Sequence, residues 1–166
     1  PPGHRIIARK NTFNIMRYWR LEPKEKLNLS SDEEYTQAFR EVFFRSVRNR
    51  VRSAGPLGSM LSGGMDSSSV TAAANIELRA AENGPLLTYS VIGPDPDTCV
   101  ETRAIHSMAG MEGTKAHFID WSRIDELAPH MIEALSRMGE PFDGKMNLLR
   151  AVYHTAQRQG AKVVLD

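Results

Sequence analysis

The chain has one cysteine, Cys99, among 166 residues. That excludes an internal disulfide and a cysteine-based zinc cluster, and it suits a reducing compartment, so a cytoplasmic location is expected. Long apolar runs are missing too. Mean hydropathy is −0.38, and no stretch approaches the roughly 20 apolar residues that span a bilayer. The opening residues, Pro1-Pro2-Gly3-His4-Arg5, lack the layout of a secretory signal. Net charge is nearly absent: 21 basic against 20 acidic side chains leave +1. No polyanionic partner is demanded, and neither nucleic acid nor membrane is expected. Arg40, Arg45, Arg48, Arg50 and Arg52 crowd one segment, but without exposed aromatics between them or a nucleic-acid motif they read as the solvated face of a helix. The five histidines show no metal-ligand spacing. Cys99 has no activating neighbour and reads as a buried or half-buried small side chain.

The remaining composition is that of a soluble globular domain, 41% apolar and 25% charged. Residues His4 to Arg9 and Thr12 to Trp19, separated by Lys10-Asn11, read as a β-hairpin. A hairpin alone is marginal in water and must pack on something. Residues 21–30 read as a linker. Ser31-Asp32-Glu33-Glu34 is a capping box opening a helix, with Tyr35, Ala38, Phe39, Val42, Phe43 and Val47 as an apolar stripe expected to face a core. Strands are then expected at Leu57–Leu61, Leu86–Ile92, Lys115–Trp121 and Ala161–Leu165. Helices are expected at Ser67–Glu82, Val100–Ala109, Ile124–Met138 and Asn147–Gln159. This alternation predicts an α/β fold: a doubly wound parallel sheet with helices on both faces, preceded by the hairpin. Ligands of such sheets bind beyond the C-terminal strand ends.

One loop in that position carries chemistry. Leu61-Ser62-Gly63-Gly64-Met65-Asp66-Ser67-Ser68 lies between a predicted strand and a predicted helix. Paired glycines let backbone N–H groups close on an anion, and the helix start adds its own. Ser62, Ser67 and Ser68 add hydroxyls. Asp66 would repel a bare phosphate but suits one that carries a hard cation such as Mg²⁺. The loop therefore asks for a polyphosphate with magnesium. It is not the Walker loop, whose lysine is missing, nor the dinucleotide fingerprint.

Ser62-Gly63-Gly64-Met65-Asp66-Ser67-Ser68 resembles the pyrophosphate loop of the N-type ATP pyrophosphatases, a superfamily with an adenine nucleotide alpha-hydrolase-like fold. Four further segments resemble asparagine synthetase-like members in order along the chain. Residues Pro1 to Trp19 are similar to the last hairpin of their glutaminase-like upstream domain. Leu86-Leu87-Thr88-Tyr89-Ser90-Val91 resembles the strand whose backbone reads adenine. Gly139-Glu140-Pro141-Phe142 resembles the loop bearing the acid beside the reacting carboxyl. Ala161 to Asp166 resembles the strand before a second magnesium-binding acid. Asp97 to Ile105, and Asp166 where asparagine synthetases usually carry serine, resemble the lasso-peptide cyclases instead.

This resemblance implies residues 1–20 as the end of an upstream domain and 31–166 as part of an ATP-pyrophosphatase domain continuing past Asp166. It implies ATP and Mg²⁺, with Leu61 and Val91 at the adenine, Ser62, Gly63, Gly64, Ser67 and Ser68 at the phosphates, and Asp66 on the metal. Glu140 would accept the proton of the attacking amine, with Asp143 close enough to share that role or to bond Lys145. The implied reaction adenylates a carboxylate, releases pyrophosphate and forms an amide. The expected substrate is a precursor peptide closed into an isopeptide ring, with a leader-peptide-binding or protease partner; the alternative is aspartate converted to asparagine. A nucleotide sensor without chemistry would lack Asp66 and Glu140. A tRNA- or sulfur-handling relative would carry more cysteines or a basic face.

Overall fold

The computed structural model describes residues 1–23, 26–93, 95, 97–138 and 147–166. The chain forms two compact units, Pro1–Ala38 and Phe39–Asp166.

In the first unit, β1 (His4–Arg9) and β2 (Thr12–Arg17) pair antiparallel, with Ile6 opposite Ile15 and Ala8 opposite Phe13. Those four side chains share one face because residues two apart along a strand point the same way. Phe13, Ile6 and Ile15 are all exposed. Helix α1 (Asp32–Arg48) begins in this unit and continues into the second. Ser31 Oγ accepts from the Glu34 N–H at 3.3 Å, and the Glu34 carboxylate reaches the Ser30 N–H at 2.7 Å. The expected capping box is present, with its return bond one residue further back.

The second unit holds a four-stranded sheet, all parallel, of β3 (Leu57–Met60), β4 (Leu86–Ile92), β5 (Thr114–Asp120) and β6 (Val163–Leu165), in the order β5-β4-β3-β6. Between them run α2 (Met65–Ala80), α3 (Val100–Ala109), a 3₁₀ helix (Trp121–Leu127), α4 (Ala128–Met138) and α5 (Asn147–Arg158). The chain steps outward from β3 to β5 and returns to the other side of β3. That reversal gives an open sheet its ligand crevice.

Two cores flank the sheet. Leu57, Leu86 and Leu165 face Val47 of α1 and Ala73, Ala74 and Leu78 of α2. Leu87, Tyr89 and Ile119 face Val152 and Ala156 of α5. Neighbouring residues such as Leu86 and Leu87 divide between the cores, as alternation along a strand requires. The expected doubly wound parallel sheet is therefore the architecture of this unit. Buried Ser59 and Thr71 join β3 to α2 through a 2.9 Å hydroxyl pair, and Arg48 forks onto Glu77 at 2.7 and 2.9 Å, tying α1 to α2. That fork holds the Glu77 carboxyl below its usual range.

Two expectations are corrected. The aromatic stripe of α1 is buried only near its C-terminal end: Val47 joins the core with Phe43 and Phe44 against it, whereas Tyr35, Phe39 and Val42 are exposed. The Tyr35 hydroxyl is instead used locally, donating to Leu27 O at 2.9 Å and accepting from Leu29 N at 3.1 Å. The stretch after β5 is not strand at Trp121, because Asp120 caps a 3₁₀ turn there.

Candidate nucleotide site

Leu61 to Gly64 link β3 to α2 at the C-terminal edge of the sheet. Helix α2 starts at Met65, two residues before the sequence expectation, so Asp66, Ser67 and Ser68 form its first turn. The first N–H groups of a helix have no intrahelical partner, and the peptide dipoles leave partial positive charge there. Gly64 is the N-cap and offers no side-chain acceptor to those N–H groups, which leaves them available to an anion.

The two glycines differ. Gly63 has φ +80°, and a Cβ there would lie 2.6 Å from the Glu101 carbonyl oxygen. Gly64 has φ −76° and ψ 159°, which any residue adopts, and its nearest neighbour to a built Cβ is Ser62 Oγ at 3.6 Å. Gly63 is thus required by the fold, and Gly64 leaves room above the loop. The hydroxyls satisfy one another: Ser67 Oγ donates to Gly64 O at 3.2 Å, accepts from Ser62 N at 3.1 Å and pairs with Ser62 Oγ at 2.9 Å. A bound anion would compete for those Ser62 donors. Ser68 contributes its N–H to Gly64 O, the first helical bond, at 3.1 Å.

A cavity of about 390 Å³ opens beside this loop, within the size range of small-molecule sites. Met60, Leu61 and Ser62 line it from β3 and its end, and Tyr89, Val91, Ile92 and Gly93 from β4 and its end. Glu101 joins the lining from α3, Trp121 from the turn after β5, and Leu148, Leu149 and Val152 from α5. The expected adenine-reading pair, Leu61 and Val91, is thus brought to one cavity whose rim includes the loop's Ser62. The Leu61 N–H already donates to Tyr89 O at 2.9 Å, so its carbonyl is the backbone group it can offer a base.

Tyr89 stacks on His117, ring centroids 5.2 Å apart. Burial pushes the Tyr89 hydroxyl up and the His117 imidazole down, with Lys115 adding to the latter. Near the end of β6, the Tyr153 hydroxyl donates to the Asp166 carboxylate, and its pKa is pushed up to about 12.

Cys99 is half-buried, as expected, and has a role that sequence reading missed. Its Sγ accepts the Thr102 N–H at 3.5 Å and caps α3. Thr102 Oγ1 in turn accepts from Gly93 N at 2.9 Å, holding the end of β4 against α3. Glu101 and Trp121 were likewise missed as lining residues, because nothing local in the sequence marks a side chain that a crossover brings to the cavity. Glu140, Asp143 and Lys145 lie outside the described residues. Among the described residues no three His, Cys, Asp or Glu side chains cluster as a metal site. Mg²⁺ commonly takes one or two carboxylates and completes its shell with phosphate oxygens and water. Asp66, exposed beside an anion cradle, fits that pattern.

A model of the asparagine synthase family matches residues 38–166. The chain belongs to the asparagine synthase family. Among its relatives, Asparagine synthetase [glutamine-hydrolyzing] 3 of Bacillus subtilis (strain 168) is 32% identical over 143 residues, 81% of this chain and 23% of that protein. Amidase chry2 of Gibberella zeae is 42% identical over 72 residues, 42% of this chain and 11% of that protein. The chain thus spans less than a quarter of the length of these two relatives. Among solved structures, NAD+ synthetase from Burkholderia pseudomallei is 19% identical, covering 76% of this chain and 60% of that chain with a TM-score of 0.48, a likeness too distant to argue from. Among the described residues no helix is long and apolar enough to cross a membrane.

Proposed function

We propose that this chain is the nucleotide-binding part of an ATP-dependent ligase that adenylates a carboxylate, releases pyrophosphate and passes the acyl group to an amine. The observation that carries this is the adjacency of a glycine-rich helix start with free N–H groups and an apolar cavity at the C-terminal sheet edge, with Ser62 belonging to both. A nucleoside polyphosphate has that division, a base at one end and anionic charge at the other. Family membership through residues 38–166 supports amide-forming chemistry.

In this reading Leu61 and Val91 border the adenine. The N–H groups of Gly63, Gly64 and the first turn of α2 hold the phosphates, with the Ser62, Ser67 and Ser68 hydroxyls beside them. Asp66 would hold Mg²⁺, which supplies neutralising charge to the leaving pyrophosphate. The chain's residues do little covalent work: they orient the triphosphate so that a carboxylate oxygen meets the α-phosphorus in line. Backbone donors fixed before binding stabilise the charge that develops there. The amine must lose a proton as it attacks the acyl group, and Glu140 is the proposed acceptor.

For the carboxylate, a side chain of a precursor peptide closed into an isopeptide ring is the favoured substrate. Among the described residues the cavity lining is mostly apolar, and its one charged member is the acid Glu101, a poor partner for the second carboxylate of free aspartate. Asparagine formation is the second reading, favoured by the similarity to Asparagine synthetase 3. The exposed Ile6, Phe13 and Ile15 face supports the proposal that the hairpin completes an upstream, glutaminase-like domain. The test is pyrophosphate release from ATP by the full protein. A precursor peptide that stimulates release and loses one water supports ring closure. Stimulation by aspartate with ammonia, yielding asparagine, selects the second reading. ADP and phosphate as products would defeat both.

A further inference from the structure

We propose that the indole of Trp121 stacks on the base of the bound nucleotide and fixes its position in the cavity, an inference that rests on the nucleotide reading above. Trp121 directly follows β5, where a large aromatic is ordinarily buried, yet it is 50% exposed. Its placement is nonetheless defined. Asp120 Oδ1 accepts the Ser122 N–H at 2.8 Å and the Ser122 hydroxyl at 2.7 Å, which pins the turn on which Trp121 sits. These bonds hold the Asp120 carboxyl below its usual range. One turn on, Arg123 forks onto Glu126 at 2.9 Å through both nitrogens. A half-exposed indole on a braced turn has a free aromatic surface that the fold itself does not use.

Trp121 lines the same cavity as Val91, Ile92, Leu148 and Leu149. Apolar walls with one indole suit a flat, uncharged heteroaromatic ring, because stacking and burial reward a planar face without needing a counter-charge. Ser62, also in the lining, belongs to the Ser62–Ser68 loop. Base and phosphates of one ligand would therefore lie between Trp121 and the start of α2. Stacking accepts any base, so Trp121 would set affinity and position while other groups choose adenine.

In the full protein, the difference in emission between the parent and Trp121→Phe isolates the Trp121 signal. ATP is expected to quench its emission saturably, whereas tripolyphosphate, binding the loop without a base, leaves it unchanged. Trp121→Leu is expected to weaken ATP binding roughly tenfold with tripolyphosphate affinity unaltered, and Trp121→Phe to recover most of the loss. Trp121 belongs to neither buried core, and a circular dichroism melt checks that the variants fold. Undiminished ATP affinity in Trp121→Leu overturns the proposal while leaving the nucleotide reading intact. Equal weakening of ATP and tripolyphosphate overturns it as well, because the role would then be structural. No ATP binding by the unaltered protein removes the nucleotide reading itself and the proposal with it.

Discussion

Gly63→Ala and Gly64→Ala, neighbouring and chemically identical changes, should have opposite consequences. At Gly63 the backbone sits at φ +80°, a left-handed conformation that costs a residue with a Cβ roughly 1–2 kcal/mol. The added methyl would also lie 2.6 Å from the Glu101 carbonyl oxygen, 3.2 Å from Glu101 Cα and 3.3 Å from Ala104 Cβ. Those are atoms of a packed helix rather than the tip of a flexible side chain, so α3 or the loop must shift, at about 1–3 kcal/mol for such overpacking. The sum is about 2–5 kcal/mol, or roughly 4–20 °C in melting temperature for a domain of this size. At Gly64 the conformation is ordinary and the nearest atom is 3.6 Å away. Alanine is a poorer N-cap than glycine, but it also narrows the unfolded ensemble, worth about 0.4–1 kcal/mol in its favour. Stability should therefore change by less than about 1 kcal/mol. Phosphate binding should nevertheless fall, since the methyl occupies the space left above the loop. Thermal melts and ATP titrations on both variants make the comparison. A Gly63→Ala protein melting within about 2 °C of the parent, or a Gly64→Ala protein that melts low and binds ATP normally, would refute the loop geometry.

Asp66→Asn should leave the melting temperature nearly unchanged and reduce magnesium-dependent pyrophosphate release at least tenfold; the check is release against Mg²⁺ concentration, and equal curves would remove Asp66 from the metal. Glu140→Gln should slow amide formation more than ATP–pyrophosphate exchange, because only the amine step needs a proton acceptor; equal losses in the two assays would contradict that role. His154 stacks on His130 at 4.7 Å, and burial, His130 and Arg158 hold its pKa below the usual 6.5. The unfolded chain then binds the proton more readily than the native one, so stability is full above the ordinary imidazole value and falls as pH drops through it. Urea midpoints between pH 8 and 5 should show this fall, and His154→Gln should make it shallower, with the depressed His117 supplying the rest; an unchanged slope would show that His154 is not a source.

Legibility followed how local the signal was. Strand β4, Leu86–Ile92, and helix α3, Val100–Ala109, run where composition and turn residues place them, because strong apolar patterning is bounded by Pro85 and Gly93 on one and Gly110 on the other. The hairpin turn at Lys10-Asn11 was equally local. The Ser62–Ser68 loop was legible for its residue types, but the unequal need for its two glycines depends on the backbone of Glu101, 38 positions from Gly63 in sequence. The exposed stretch of α1 escapes sequence reading for a related reason. Periodicity marks Phe39 and Val42 as apolar positions without saying where along the helix the sheet stops covering it. Trp121 resembles the end of β5 because indole suits a strand, and the Asp120–Ser122 cap that turns the chain there is the weaker signal. Cys99 as a helix cap breaks the usual preference for oxygen acceptors.

The claim of adenylation is tested most directly by oxygen transfer. The full protein would be given ATP, Mg²⁺ and an acceptor whose side-chain carboxylate is enriched in ¹⁸O, either aspartate or a precursor peptide, and the phosphorus products read by mass spectrometry. Attack of the carboxylate on the α-phosphorus predicts one ¹⁸O in AMP and none in pyrophosphate. Label in inorganic phosphate alongside ADP would contradict it.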